Sequence, residues 1–231
     1  MGLDVEELVK TLGEGGGIED ASAVLRGVTF SVQSGECLGL KGATGAGKST
    51  LLRIIAGLLH PDSGSVRIDE RLVSSKEIHV PPQERGVGLM FQNLGLWPHL
   101  TVAGHLEFVL SASVRTKADR ADRREEMLET FFLHGLEQRY PAQLSGGERH
   151  LLALARTFCG NIRVLLLDEP FTGLDGSLKA RVLDTLRRER SRRKLTTLLV
   201  THDTEEMKAL CDRVEHLGEG HITERLVKSG G

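Results

Sequence analysis

Aromatic side chains make up only 4% of this 231-residue chain, and there are just three cysteines. Cys37, Cys159 and Cys211 are odd in number and widely spaced, with no CxxC pair and no Cys/His cluster. That argues against a disulfide framework or a zinc site and fits a reducing compartment. No apolar run approaches the ~20 residues that a membrane-spanning helix needs. The chain is not expected to cross a bilayer alone, although it can sit on a membrane-embedded partner. The N-terminal MGLDVEELVKTLGEGGG has neither a basic start nor an apolar stretch, so it does not read as a signal peptide. Lys and Arg (30) nearly balance Asp and Glu (32), for a formal charge of −2. There is no basic excess of the kind a general nucleic-acid binder carries. The remaining usage, 39% hydrophobic and 27% charged, is that of an ordinary globular chain. Its length suffices for one α/β core with a smaller subdomain.

Apolar segments bounded by turn residues predict strands at 3–12, 22–32, 37–41, 65–68, 86–91, 164–168 and 196–201. The glycine-rich run at 13–17 reads as a flexible turn, and SGE (34–36) and PDSG (61–64) as two more. Leu51, Leu52, Ile54, Ile55, Leu58 and Leu59 form one face of a helix over 48–58. From 93 to 160 the pattern is helical and more charged; KADRADRREEMLETFF at 117–132 reads as a solvated helix face. A basic amphipathic helix is expected over 176–193. Strands alternating with helices predict an α/β fold with a mostly parallel sheet covered on both faces, the helical stretch being inserted between two core strands.

The sequence GATGAGKST fills the junction between the strand at 37–41 and the helix at 48–58. Gly42, four residues, Gly47, Lys48 and Ser49 make a loop whose backbone can curl so that several N–H groups face a phosphate. The helix start adds its positive dipole end. In such a loop Lys48 reaches the outer phosphates and the Ser49 hydroxyl ligates magnesium. VLLLDEP supplies what hydrolysis needs besides: Asp168 at the end of an apolar strand as a second magnesium contact, and Glu169 as the base for an attacking water. An acidic pair after a strand is, on its own, more often a cap or turn. In company with the glycine loop, the functional reading prevails.

With FQN at 91–93, LSGGE at 144–148, TGLD at 172–175 and VTHD at 200–203 following in order, the chain resembles the ATP-binding cassette (ABC) ATPases over nearly its whole length. The resemblance implies a P-loop NTPase (RecA-like) α/β core with a mostly parallel sheet, an antiparallel β subdomain and an inserted α-helical subdomain. The whole chain, 1–231, would be one ABC ATPase domain, with its core at about 1–92 and 161–231 and the helical subdomain at about 93–160. ATP would lie on Gly42, Ala43, Thr44, Gly45, Ala46, Gly47, Lys48, Ser49 and Thr50. Mg2+ would be held by Ser49, Gln92 and Asp168. The catalytic set would be Glu169, His202 at the γ-phosphate, and Gln92 at the attacking water. Ser145, Gly146 and Gly147, ahead of the helical run at 151–158, read as a second anion-binding helix start. In the family, two cassettes pair head to tail, so that this segment completes the partner's site and Asp175 makes contact across the dimer. The chain departs from the pattern in three places. Family members place an aromatic near the end of the first strand to stack on adenine; LGEGGGIEDASAV has none, leaving Ile18 or Val24 to pack on the base. Leu151 stands where the family often has Arg, with Arg149 nearby. Ala43 and Thr44 replace a commoner Pro and Ser or Asn, a minor change in a loop that acts through its backbone.

The segment PPQERGVGLMFQNLGLWPHLTV (81–102) looks like the importer branch that takes up sugars, polyamines, iron, sulfate or molybdate. There a helix of the transmembrane permease docks beside the Gln92 loop, and Leu94, Leu96, Trp97 and Leu100 are the expected apolar floor. Trp97 reads equally well as core. The expected partners are a second copy or a paralogous cassette and the permease, without nucleic acid. The expected place is cytoplasmic, peripheral on the inner face of the cell membrane. Many importer cassettes carry a C-terminal regulatory domain, and none is expected within these 231 residues. Two other readings stay open: a soluble ABC ATPase with no transport role, and a nucleotide-responsive module with weak hydrolysis.

Overall fold

Segments that are apolar at almost every position, such as VLLLD and TTLLV, are stable as strands only when both faces of the sheet are covered. The computed structural model, which describes residues 2–13 and 21–227, satisfies that requirement. The chain runs β1 (Gly2–Gly13), β2 (Ala21–Gln33), β3 (Cys37–Lys41), α1 (Lys48–Ala56), β4 (Ser63–Ile68), β5 (Arg71–Ser74), β6 (Val87–Met90), α2 (Val102–Ser113), α3 (Lys117–Thr130), α4 (Gly146–Cys159), β7 (Val164–Asp168), α5 (Gly176–Arg193), β8 (Thr196–Val200), α6 (Thr204–Leu210), β9 (Arg213–Gly218) and β10 (His221–Val227). Six strands form one sheet in the order β10-β9-β3-β8-β7-β6. All neighbours in it are parallel except the β10–β9 edge pair. The other four make an antiparallel sheet, β2-β1-β4-β5.

Side-chain alternation along the parallel strands divides the interior into two layers. Leu38, Leu40, Val164, Leu166, Leu198 and Val200 face α1 and the antiparallel sheet, meeting Leu51, Ile54, Ile55, Val5 and Phe30. Cys37, Leu165, Leu167 and Leu199 face the other way, onto Leu152, Phe158, Val182, Leu186 and the apolar sides of α2 and α3. Helices α2 to α4 enter between β6 and β7, two strands that pair directly. The insertion therefore adds a layer without separating the strands it interrupts.

The predicted elements differ from the structure mainly at their ends. The 86–91 strand shortens to Val87–Met90, because Gly86 takes a left-handed turn at φ +65. The helix expected from 151 begins five residues earlier, at Gly146, so Gly146 and Gly147 lie within its first turn rather than ahead of it. The glycine-rich turn at 13–17 lies outside the described residues from 14 onward.

One arginine fixes the far end of α1. Arg85 is 1% exposed, and its guanidinium donates to the carbonyls of Val80 (2.6 Å), Ile54 (2.9 Å) and Ile55 (3.0 Å). Burial pulls its pKa down to about 10, so it stays charged at neutral pH, placed at a helix C-terminus where a cation is favourable. Gly57 ends α1 at φ +82, and a Cβ there would stand 2.5 Å from Arg85 Nε. Arg85→Ala would leave three carbonyls without these donors and is expected to lower stability by about 3 kcal/mol, since each unsatisfied buried group costs roughly 1–3 kcal/mol. Urea unfolding of the two proteins checks this.

Candidate functional site

Helix starts leave backbone N–H groups without partners. Helices α2 to α6 answer this with a side chain: Thr101, Thr116, Ser145, Asp175 and Asp203 each accept a first-turn N–H. Helix α1 has no such cap; it starts on Gly47 at φ +97. Its donors face a cleft of about 340 Å³ lined by Leu12, Val24, Thr44, Gly45, Gly47, Lys48, Ser49, Thr50, Gln92, Asp168, Glu169, Val200 and His202. An uncapped helix N-terminus inside a glycine loop suits an anion with several oxygens.

The loop's glycines are there for two different reasons. A Cβ on Gly42 would stand 2.3 Å from the Leu217 carbonyl oxygen, and one on Gly47 would meet Leu25 Cδ2 at 2.7 Å and the Val24 oxygen at 2.8 Å. A Cβ on Gly45 would meet nothing within 4 Å, but the residue has φ +85. Ala43 and Ala46 close the turn by an Ala46 N–H to Ala43 carbonyl bond of 3.2 Å. Lys48 bends back over this turn, its ammonium donating to the carbonyls of Gly42 (2.7 Å) and Ala43 (2.9 Å). Burial lowers the Lys48 pKa, with the Glu169 and Asp168 carboxylates acting against it.

Across the cleft, the Ser49 hydroxyl donates to Asp168 Oδ2 at 2.8 Å. A hydroxyl and a carboxylate side by side, with the exposed Gln92 amide on the same cleft, form an all-oxygen donor set of the kind magnesium prefers. Glu169 follows in the left-handed region at φ +52. Its Oε1 is buried and has no hydrogen-bond donor among the described residues. His202 Nε2 comes within 3.2 Å of that oxygen, outside hydrogen-bond geometry. Burial raises the Glu169 pKa, Glu206 and Asp168 add to the effect, and His202 and Lys48 oppose it.

The other expected residues lie elsewhere. Ser145, Gly146, Gly147 and Asp175 do not line this cleft. Ser145 and Glu148 form a capping box, Ser145 Oγ accepting from Glu148 N–H (3.2 Å) and Glu148 Oε2 from Ser145 N–H (2.6 Å). The S-x-x-E spacing is the signal that could have marked this start. Asp175 Oδ1 accepts from the N–H groups of Ser177 (3.0 Å) and Leu178 (2.9 Å), so within one chain it is a helix cap. Leu12 and Val24 line the mouth of the cleft; Leu12 was not anticipated, and Ile18 lies outside the described residues.

Beyond Gln92 lies a second, more apolar groove of about 380 Å³, walled by Phe91, Trp97, Phe108, Val109, Arg156 and Ile162 among others. Of the four residues expected on its floor, only Trp97 lines it; Leu94 and Leu96 pack against the helical-side core instead. Trp97 is half-buried, stacked on His105 at 5.5 Å and tilted to Phe108 at 4.8 Å, so it serves both packing and groove. The nearly buried Arg156 lies 5.1 Å from the same indole and donates to the Leu94 carbonyl at 2.7 Å and to that of Gly95. Sequence reasoning missed it, although an arginine inside the apolar run LLALARTF was a visible anomaly.

These features define a phosphate-loop nucleotide-binding fold of the P-loop NTPase type, and comparison with known proteins narrows the class. The ABC transporter family model matches residues 25–172. The sulfate/thiosulfate import ATP-binding protein CysA of Mycobacterium tuberculosis is 43% identical over 195 residues, 84% of this chain and 54% of that protein. CysA 2 of Agrobacterium fabrum is 38% identical over 228 residues, 97% of this chain and 63% of its own. This chain spans between 53% and 63% of the length of such relatives. Among solved structures, the dimeric bacterial ABC transporter cassette MJ0796 superposes with a TM-score of 0.88 at 26% identity, covering 99% of this chain and all (100%) of that one. A post-hydrolysis dimer of the same cassette with ADP and Pi gives 0.86 at 27%, with the same coverage. The chain belongs to the ATP-binding cassette family of ABC transporters.

Two predictions follow from the site's geometry. Gly47→Ala combines a left-handed backbone with two close contacts and is expected to lose about 1–3 kcal/mol of stability, against about 1 kcal/mol for Gly45→Ala, where only the backbone is strained. Urea midpoints for both variants decide the matter. For Glu169 the folded pKa is raised, so its contribution is present below the unfolded value and lost as pH rises through the folded one. Glu169→Gln should therefore melt higher than wild type at neutral pH, and the gap should close as the pH falls towards 4.5.

Proposed function

We propose that the chain is the ATP-binding and ATP-hydrolysing subunit of an ABC importer. The observation that carries this reading is the convergence, in one cleft, of the uncapped α1 start with Lys48, Ser49, Asp168, Glu169, Gln92 and His202. The residues at 42–50 cradle the triphosphate through backbone N–H groups, and Lys48 leaves its own loop carbonyls for the outer phosphates. Ser49, Asp168 and Gln92 would hold Mg2+, which when bound supplies charge neutralisation at the phosphate oxygens. Glu169, with its unpartnered oxygen and raised pKa, accepts the proton of the attacking water. His202 contacts the γ-phosphate from the end of β8. Leu12 and Val24 give the base an apolar seat without an aromatic.

Ser145, Gly146 and Gly147 stand away from this chain's own cleft, which supports a head-to-tail pair with a second copy or a paralogous cassette, each donating that segment to the other's ATP. Asp175 keeps its capping bond and faces the partner with its second oxygen. The apolar groove beside Trp97 and the exposed Phe108 suits a short helix of a transmembrane permease. The subunit then sits peripherally on the cytoplasmic face of the membrane; among the described residues, no helix is long and apolar enough to cross it. In this reading residues 93–160 form the helical subdomain of a single cassette whose core is 1–92 and 161–231. The named relatives act in sulfate/thiosulfate import, so a small oxyanion is the cargo class to try first, with the choice made by the membrane subunits.

The test is ATP hydrolysis by wild type and Glu169→Gln. Loss of a general base is expected to lower the rate by about 10²–10⁴-fold while ATP binding persists. Equal inactivity of the two proteins, with wild type folded and nucleotide-bound, would sink the motor reading.

A further inference from the structure

His202 is exposed on the cleft, and among the described residues its ring is approached by Glu169 at 3.2 Å. Its position is held by the residues on either side. Thr201 donates its hydroxyl to Glu206, a carboxylate only 5% exposed. The Asp203 N–H donates to Thr201 Oγ1 at 3.1 Å, and the Asp203 side chain caps α6 by accepting the Glu205 N–H at 2.8 Å. Both carboxylates then converge on one cation. Lys179 Nζ lies 2.7 Å from Asp203 Oδ2 and 2.6 Å from Glu206 Oε1. A carboxylate as buried as Glu206 is costly without a partner, and Lys179 provides one. From the other side, Lys41 donates to Thr204 Oγ1 at 2.9 Å, one residue before the glycine loop starts.

Lys179 stands one helical turn after Asp175, so this bridge ties the His202 turn to the start of α5. We propose that Lys179 is a positioning residue for the γ-phosphate chemistry: its bridge to Asp203 and Glu206 fixes the Thr201–Asp203 turn and thereby aims His202 into the cleft. The proposal rests on the reading of His202 as a γ-phosphate contact. An ordinary surface pair would join two exposed side chains and do little. This one spans two elements, ends on a buried carboxylate and brackets a single functional residue.

The experiment is steady-state ATP hydrolysis by the full chain in five forms: wild type, Lys179→Met, Lys179→Arg, His202→Ala, and Lys179→Met with His202→Ala. Lys179→Met should lower kcat about tenfold or more, because small misplacements of a reacting group are that costly. KM for ATP should stay within about threefold, since ground-state binding is untouched. Lys179→Arg should recover at least half of the lost rate. In the His202→Ala background, Lys179→Met should cost nothing further, the signature of two residues acting as a unit. A folded Lys179→Met enzyme with wild-type kcat overturns the proposal, as does a loss that multiplies with that of His202→Ala. Should Lys179→Met fail to fold, Glu206→Gln, which keeps the shape of the buried carboxylate and removes its charge, carries the same expectation for kcat and KM. A His202→Ala protein as fast as wild type overturns the reading of His202 itself; an impaired His202→Ala beside an unimpaired Lys179→Met overturns only the role of Lys179.

Discussion

The glycine loop is squeezed between the two sheets, and much of the molecule can be understood as the means of holding it there. Gly42 lies against the Leu217 carbonyl of β9, and Gly47 against Val24 and Leu25 of β2. One neighbour belongs to the parallel sheet and the other to the antiparallel one. The loop's shape is therefore imposed from both sides rather than chosen by its own flexibility. Lys48 adds the third constraint, its ammonium bonded to two carbonyls of the loop it follows. Glycine is needed at 42 and 47 because a backbone stands where a Cβ would go. The same closeness keeps the N–H groups of α1 turned inward without any capping side chain.

Strand order explains why residues from four distant segments meet. In the parallel sheet β3, β8, β7 and β6 are neighbours, and all four end on the same edge. Lys41 and the loop leave β3 there; His202 follows β8; Asp168 and Glu169 close β7; Gln92 follows β6. Ligand sites of open α/β sheets lie at this carboxyl edge. The interiors of β7 and β8 are buried at every residue, so the strand ends are where polar side chains can reach the cleft. The Glu169 N–H to Val200 carbonyl bond of 2.9 Å carries strand pairing right up to the carboxylate proposed as the general base.

What was legible in the sequence is what is decided locally. The loop, the strands 37–41 and 164–168 and the helix 176–193 announce themselves by glycine spacing, unbroken apolar runs and 3.6-residue periodicity. Neither β9 nor β10 did. In β9 the inward position Glu215 is a charged residue at 1% exposure, paired with Arg213, so the expected apolar alternation is broken. Helix α6 has seven residues, too few to show a period. Arg85 and Arg156 were missed because an arginine reads as surface. Each instead donates to carbonyls at chain turns, and no pattern in the sequence says which carbonyls a long side chain will reach. The apolar floor expected from Leu94 and Leu96 failed for a related reason. Leu94 and Gly95 both have positive φ, and with the chain turned there Leu94 and Leu96 pack inward and leave the groove to Trp97.

That turn has a mechanical consequence. Helix α4 begins at the Ser145 cap and carries Arg156 near its other end, where the guanidinium holds the Leu94 and Gly95 carbonyls just after Gln92. Arg156 is 8% exposed, and burial lowers its pKa to about 10. The described structure gives it carbonyls and the Trp97 ring as partners rather than a carboxylate. Removing the two carbonyls would strand a buried charge, which is far costlier than moving the helix with them. Through Arg156, the groove at Trp97 and the turn after Gln92 are thus tied to the helix that begins at the Ser145 cap. In the proposed reading, Gln92 and Ser145 are the elements that meet this chain's own phosphates and its partner's.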